Sequence, residues 1–274
     1  MQTVISHDGT KIAYDAYGEG PTLILVGGAL SFRKFKKMEQ FAQALAGRGY
    51  TVINYDRRGR GDSGDTKPFS IEREIEDIAA LTEAHGGRAS LWGWSSGGAL
   101  ALRAAGAGIG VDKVAAYEPP FNVDPGSKTP TKDYGERIEE LVAKDDRAGL
   151  VKHFMRNAIG LPAPFVALMR LMPMYKGLKS TALTLGYDWA AMGPHNMYGA
   201  RLESQEWAGV TVPALIAYGS KSPDGLKSGA KAIAEVLPNA ELAAVEGGTH
   251  NVSVDKFAPV LADFLSREEV ALTT

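Results

Sequence analysis

Ser95 sits in the run Gly93-Trp94-Ser95-Ser96-Gly97, and His250 closes the run Gly247-Gly248-Thr249-His250. A serine hydroxyl is too weakly acidic to attack a carbonyl unaided at neutral pH. A neutral imidazole within hydrogen-bond reach can take its proton as the new bond forms. The two residue types together point to acyl transfer through a covalent serine intermediate. A bare Gly-x-Ser-x-Gly arises by chance, so its setting carries the weight. An apolar run, Ala89 to Trp94, leads into it, and a small-residue run of helical character, Ser96 to Ala105, leads out. A sharp strand-to-helix turn lifts a side chain out of a sheet, and glycines at 93 and 97 remove the Cβ atoms that would clash across it. Ser95 then lies at a helix N-terminus, where the backbone N–H of Ser96 can point at a developing oxyanion. Nucleotide binding is the alternative for such a turn, but neither Gly-x-Gly-x-x-Gly nor P-loop spacing is present. Of the two serines the motif frame selects Ser95, with Ser96 facing the helix start.

These residues need elements to position them. Val4-Ile5 and Ile12 to Tyr17 flank the turn signal Asp8-Gly9 and predict a hairpin. Further strands are expected at Thr22 to Val26, Tyr50 to Tyr55, Ala89 to Trp94, Lys113 to Tyr117, Ala214 to Tyr218 and Glu241 to Val245. Their continuous apolar runs suit strands buried on both faces. Helices are expected between them at Phe35 to Ala46, Ile71 to His85, Ser96 to Ala105 and Gly225 to Leu237, with a last one at Asp255 to Ser266. Strand-helix alternation implies an α/β fold with a mainly parallel sheet covered on both faces. The rhythm breaks from about Phe121 to Trp207, where helical segments are interrupted at Gly160-Leu161-Pro162, Met172-Pro173 and Gly193-Pro194. This block reads as an inserted helical cap over the C-terminal edge of the sheet, the edge at which open α/β sheets bind ligands. The expected division is a core of residues 1–120 and 208–274 and a cap of residues 121–207.

The 274 residues are enough to bury a substantial core. A net charge of −2 gives no electrostatic case for nucleic acid or an anionic membrane, which leaves a small molecule as the expected partner. The run Arg33-Lys34-Phe35-Lys36-Lys37 reads as a solvated helix face. There are no cysteines, which removes disulfides, thiolate catalysis and cysteine-held metals. The N-terminus lacks a basic region followed by an apolar stretch, and no segment is long and apolar enough to span a membrane. A cytoplasmic location is the default expectation, and the chemistry calls for no metal or cofactor.

Four segments, in this order and separation, resemble the α/β-hydrolase superfamily: Leu25 to Ala29, Asp56 to Ser63, Gly93 to Gly97, and Gly247 to His250. The likeness runs over nearly the whole chain. It implies an α/β-hydrolase fold with a core of about eight strands and a cap, Ser95 as nucleophile and His250 as base. His250 follows the last strand, the place and chain order that family uses. His7 and His85 are expected at the surface, and His153 and His195 within the cap.

The resemblance fails at the acid. The family usually carries a Gly, two residues and then Asp just after the strand here read as Ala214 to Tyr218. This chain reads Gly219-Ser220-Lys221-Ser222-Pro223-Asp224, with Ser222 in the acid's place. A hydroxyl cannot stabilise an imidazolium as a carboxylate does. Two carboxylates are candidates, and absence of a strong acid is the third possibility. Asp224 precedes a helix, where Asp is a favoured N-cap. Glu118 ends the strand Lys113 to Tyr117 and precedes Pro119-Pro120, a stiff extended segment suited to a fixed orienting group. Ala116-Tyr117-Glu118 resembles α/β-hydrolases, including certain haloalkane dehalogenases, that place the acid after this strand. Glu118 is the favoured choice.

The resemblance also sets the backbone N–H of Ala29 opposite that of Ser96, as two donors to one oxyanion. Trp94 and Gly28 are candidate pocket residues. Asp56 to Ser63 is expected as a structural turn, with Arg57 and Arg58 in buttressing salt bridges rather than on substrate. Six methionines, Met155, Met169, Met172, Met174, Met192 and Met197, fall in the helical block; most should pack its own core and a few line an adaptable apolar pocket. The leading expectation is a serine hydrolase of a medium-sized, largely apolar ester, lactone or thioester. Carbon–carbon bond hydrolysis, a biosynthetic cyclase or lyase on the same fold, and a ligand receptor with a degenerate triad are the alternatives. Dehalogenase and epoxide hydrolase chemistry would need Asp where Ser95 stands.

Overall fold

The computed structural model describes residues 1–127 and 130–267. Its eight strands form one sheet: β1 (Gln2–Ile5), β2 (Lys11–Tyr17), β3 (Thr22–Val26), β4 (Thr51–Tyr55), β5 (Ala89–Trp94), β6 (Val111–Tyr117), β7 (Ala214–Gly219) and β8 (Ala240–Val245). The spatial order is β1-β2-β4-β3-β5-β6-β7-β8. β2 pairs antiparallel with both β1 and β4, and the strands β4-β3-β5-β6-β7-β8 pair parallel, so the hairpin supplies one antiparallel edge. This is the mainly parallel α/β sheet that the strand-helix alternation implies, and its eight strands agree with the α/β-hydrolase fold that the resemblance implies.

Helices α1 (Lys36–Ala46), α2 (Ile71–Ala84) and α3 (Ser96–Gly106) follow β3, β4 and β5. Between β6 and β7 the described residues hold six α-helices: α4 (Tyr134–Ala143), α5 (Arg147–Asn157), α6 (Ala163–Met169), α7 (Met174–Thr181), α8 (Leu185–Met192) and α9 (Ser204–Trp207). Helices α10 (Asp224–Val236) and α11 (Val254–Ser266) follow β7 and β8. Leu23 and Leu25 of β3 face one apolar layer with Phe41, Trp92 and Phe257, while Ile24 and Val26 face the other with Leu91, Leu100 and Ile216. Alternate residues of one strand thus enter opposite layers, which is why the strand is apolar throughout. No helix among the described residues is long and apolar enough to cross a membrane.

Several boundaries shift by a residue or two from the sequence pattern, and two of the shifts have an identifiable cause. β6 begins at Val111, two residues before the apolar run, because Asp112 and Lys113 are strand residues with outward partners. Asp112 pairs with Arg88, and Lys113 Nζ donates to the carbonyl of Leu265 at 3.0 Å. Helix α10 begins at Asp224, so Pro223 rather than Asp224 is its N-cap. Asp224 is a first-turn acid that pairs with Lys227 at 2.8 Å.

Candidate active site

The C-terminal ends of the central strands meet in one place. β5 ends at Trp94, and Ser95 follows with φ 58° and ψ −130°. A non-glycine residue at positive φ costs on the order of 1–3 kcal/mol and persists only when its surroundings enforce it. Here they do. The Ser95 N–H donates to the Tyr117 carbonyl at 2.9 Å, extending the β5–β6 ladder by one residue, and the Ser95 carbonyl accepts the Gly98 N–H at 2.8 Å to open α3. A Cβ at position 93 would collide with the Gly97 carbonyl, and one at 97 with the Val26 carbonyl. Both glycines are therefore required by the close passage of β3, β5 and α3.

One strand over, Glu118 repeats the device. Its φ is 47°, and its N–H donates to the Ala217 carbonyl at 2.9 Å before Pro119-Pro120 carry the chain away. The carboxylate is fully buried. Oε1 accepts the Gly219 N–H at 2.7 Å, and Oε2 lies 2.7 Å from His250 Nδ1. With Nδ1 donating to a carboxylate, Nε2 carries the lone pair. The loop bearing His250 is tied to the same strand ends. Trp94 Nε1 donates to the His250 carbonyl at 2.9 Å, and the Tyr117 hydroxyl to the Thr249 carbonyl at 2.9 Å.

The other candidates fall in different places. The Asp224 side chain is 97% exposed and pairs with Lys227, so it does not reach His250. Ser222 is buried, and its hydroxyl has no hydrogen-bond partner among the described residues. Ala29, Ser95, Ser96 and His250 line one cavity of about 430 Å³ with Pro120, Phe121, Tyr134, Phe154, Leu185, Trp189, Met192 and Met197. Trp94 and Gly28, expected as pocket walls, do not line it. The Trp94 indole is turned to brace the His250 loop, its ring 6.2 Å from the His250 ring, and Gly28 presses against Ser95 from the loop after β3. Met155 and Met169 pack the interior of the helical insertion, whereas Met172 and Met174 are exposed. His153 is buried, stacked on Tyr134 at 4.8 Å, and His195 is exposed and paired with Glu206.

A model of the Alpha/beta hydrolase family matches residues 23–262. The chain belongs to this family. An α/β hydrolase from Sphaerobacter thermophilus DSM 20745 is 43% identical, with a TM-score of 0.87 over 97% of this chain and 100% of that one. The non-heme chloroperoxidase of Streptomyces lividans is 29% identical over 267 residues, 92% of this chain and 94% of its own length. The enol-lactonase of Burkholderia xenovorans LB400, 20% identical with a TM-score of 0.66, covers 97% of this chain and 100% of its own and shares the fold.

Beneath the cavity this α/β hydrolase buries a charged network. Arg58 holds Asp77 through two bonds of 2.6 and 2.8 Å, and Asp8 at 2.9 Å. Arg57 holds Glu74 through two bonds of 2.5 and 2.7 Å. These are the buttressing pairs expected of the turn. A fourth acid of this network was not legible in the sequence. Asp188, a lone acid in the apolar run Leu185 to Met192 of α8, accepts from Arg57 Nη1 at 2.6 Å, Arg60 Nη2 at 2.8 Å and the Ser96 hydroxyl at 2.8 Å. Burial works against its charge, yet Arg60 and Arg57 hold its carboxyl below the usual carboxylate range. A single acid inside an otherwise apolar helix was the available signal, but periodicity alone assigns it no partner.

Proposed function

We propose that this α/β hydrolase is a serine hydrolase acting through an acyl-enzyme on a medium-sized, largely apolar ester, lactone or thioester. The observation that carries the reading is the 2.7 Å bond from His250 to the buried Glu118, on a cavity that Ser95 also lines. Ser95 Oγ attacks the substrate carbonyl carbon as His250 Nε2 takes its proton. Glu118 holds the ring in the tautomer that leaves Nε2 free and stabilises the imidazolium that forms. The N–H groups of Ala29 and Ser96 receive the oxyanion. Collapse of the tetrahedral intermediate expels the alkoxide or thiolate, which takes the proton from His250. Water then attacks the acyl-enzyme by the same route in reverse, and the acid is released.

The helices between β6 and β7 act as a cap whose inner wall receives the acyl chain. A cavity of about 430 Å³ suits a medium-sized ligand. Its wall is mainly apolar, and the charged side chains reaching it among the described residues, Asp124 and Asp188, are acids. A neutral acyl group fits that wall better than one carrying a second carboxylate. The test is labelling by a fluorophosphonate probe, which phosphonylates an activated serine. The wild type should label and hydrolyse short p-nitrophenyl esters, and Ser95→Ala should do neither. A wild type that does not label while folded overturns the reading.

A further inference from the structure

Arg60 and Asp188 lie outside the set of residues that touches the reacting carbonyl, but Arg60 bonds the Gly28 carbonyl and Asp188 bonds the Ser96 hydroxyl, next to the two backbone donors proposed for the oxyanion. The Arg60 side chain is 1% exposed. Its Nη1 donates to the Gly28 carbonyl at 2.6 Å and to the Ser31 carbonyl at 3.2 Å. Its Nη2 is held by Asp188 Oδ2 at 2.8 Å, and its Nε by the Thr184 hydroxyl at 2.9 Å. Thr184 and Asp188 both belong to the helical insertion. The guanidinium thus reaches from the insertion to one peptide of the loop after β3.

That peptide is the one whose nitrogen belongs to Ala29. In a planar trans peptide the C=O and the following N–H point in opposite directions. Fixing the Gly28 carbonyl therefore fixes the direction of the Ala29 N–H. The same carbonyl accepts the Ser31 hydroxyl at 2.7 Å and the Ser31 N–H at 3.2 Å, so it is held from one side by three donors. The peptide is also pressed against the elbow. A Cβ on Gly28 would stand 2.6 Å from the Trp94 carbonyl and 3.1 Å from Ser95 Cβ. A cation on the carbonyl draws electron density along the amide and makes its N–H a stronger donor.

Asp188 connects this arm to the other donor. While Oδ2 holds Arg60, Oδ1 accepts the Ser96 hydroxyl at 2.8 Å and Arg57 Nη1 at 2.6 Å. Arg57 Nη1 in turn reaches the Gly27 carbonyl at 3.2 Å. One buried carboxylate on α8 is thereby bonded to Ser96, the residue after Ser95, and, through Arg60, to the loop after β3.

We propose that Arg60 and Asp188 are positioning residues that aim the Ala29 and Ser96 N–H groups at the transition-state oxyanion, so that seating of the cap sets the strength of the oxyanion pocket. The proposal rests on the serine-hydrolase reading above. It implies that losing this clamp raises the barrier without weakening ground-state binding, because the ground-state carbonyl depends less on those donors than the oxyanion does.

The experiment compares wild type, Arg60→Met, Asp188→Asn and Thr184→Val, the last removing only the anchor on Arg60 Nε. Each is tested for ester kcat and KM and for inhibition by phenylboronic acid, whose tetrahedral serine adduct places an oxygen in the oxyanion pocket. Removing an oxyanion donor outright costs about 10²–10³-fold in kcat, so misaiming one by Arg60→Met should cost about 30-fold or more. KM should stay within about threefold, and boronate affinity should fall in step with kcat. Thr184→Val should move the same two quantities by about threefold and serves as the readout if the charge variants do not fold. Folded variants whose kcat and boronate affinity both stay within twofold of wild type overturn the proposal. So does a kcat loss with boronate affinity unchanged, which marks a structural role alone. Failure of the wild type to react with fluorophosphonate is a different result and counts against the serine-hydrolase reading itself.

Discussion

The ends of β6 and β7 lie side by side and meet the same need differently. At the end of β6, Glu118 is fully buried, held at positive φ, and has each oxygen engaged, one by the Gly219 N–H and one by His250. At the end of β7, where the acid usually stands in this family, Ser222 is buried, its hydroxyl without a partner among the described residues, and Asp224 points into solvent. The β7 end still takes part, but with a backbone donor: Gly219 N–H holds the carboxylate that β6 supplies. A carboxylate can orient an imidazole from either strand end, provided burial and a second donor fix it. An exposed carboxylate paired with a lysine provides neither.

The largest expected effect breaks this comparison at its centre. Glu118→Gln keeps the shape but loses the charge and can favour the wrong histidine tautomer, so kcat should fall about 10³–10⁴-fold. Asp224→Asn should leave kcat within about twofold, as expected for an exposed pair. Ester turnover by folded protein measures both, and the reverse pattern would move the orienting role to the β7 end.

A smaller effect sharpens the contrast between two histidine settings. His250 has a carboxylate partner, whereas His153 in the insertion bonds to the Tyr134 carbonyl and to Asn157. Burial pushes the His153 pKa below its usual 6.5. The unfolded chain then takes up this proton before the folded one does. The stability His153 contributes is complete above about pH 6.5 and is lost as pH falls toward its lower folded pKa. Urea midpoints should drop between pH 7 and pH 5, and His153→Gln should make that slope shallower.

The smallest expected effect lies at the vacated position. Ser222→Ala removes a buried hydroxyl with no partner among the described residues, so stability should rise by about 0–1 kcal/mol with turnover unchanged. Thermal denaturation reads the first and ester kinetics the second. A marked loss of stability would mean that the Ser222 hydroxyl is engaged in solution.

Local pattern made much of this molecule legible, for identifiable reasons. The strands of the parallel sheet are largely apolar, so their runs stood out, and β6 was read short by Val111 and Asp112 because the charged Asp112 and Lys113 interrupt its apolar run. The elbow was legible because a tight turn demands glycines at fixed offsets. The walls of the cavity were not. Trp94 neighbours Ser95 in sequence but turns away to the His250 loop, while Tyr134 and Trp189, far along the chain, close the cavity.

The sequence by itself determined the alternation of elements, the turn at Ser95 and the placing of His250 after the last strand, since each depends on residues close together in the chain. The tertiary structure decided which carboxylate meets His250 and which charges meet Asp188. Glu118 and His250 lie 132 positions apart, and Arg60 and Asp188 lie 128 apart. Pairs so distant are chosen by the order of strands in the sheet and by the seating of the insertion on it. No local periodicity records either.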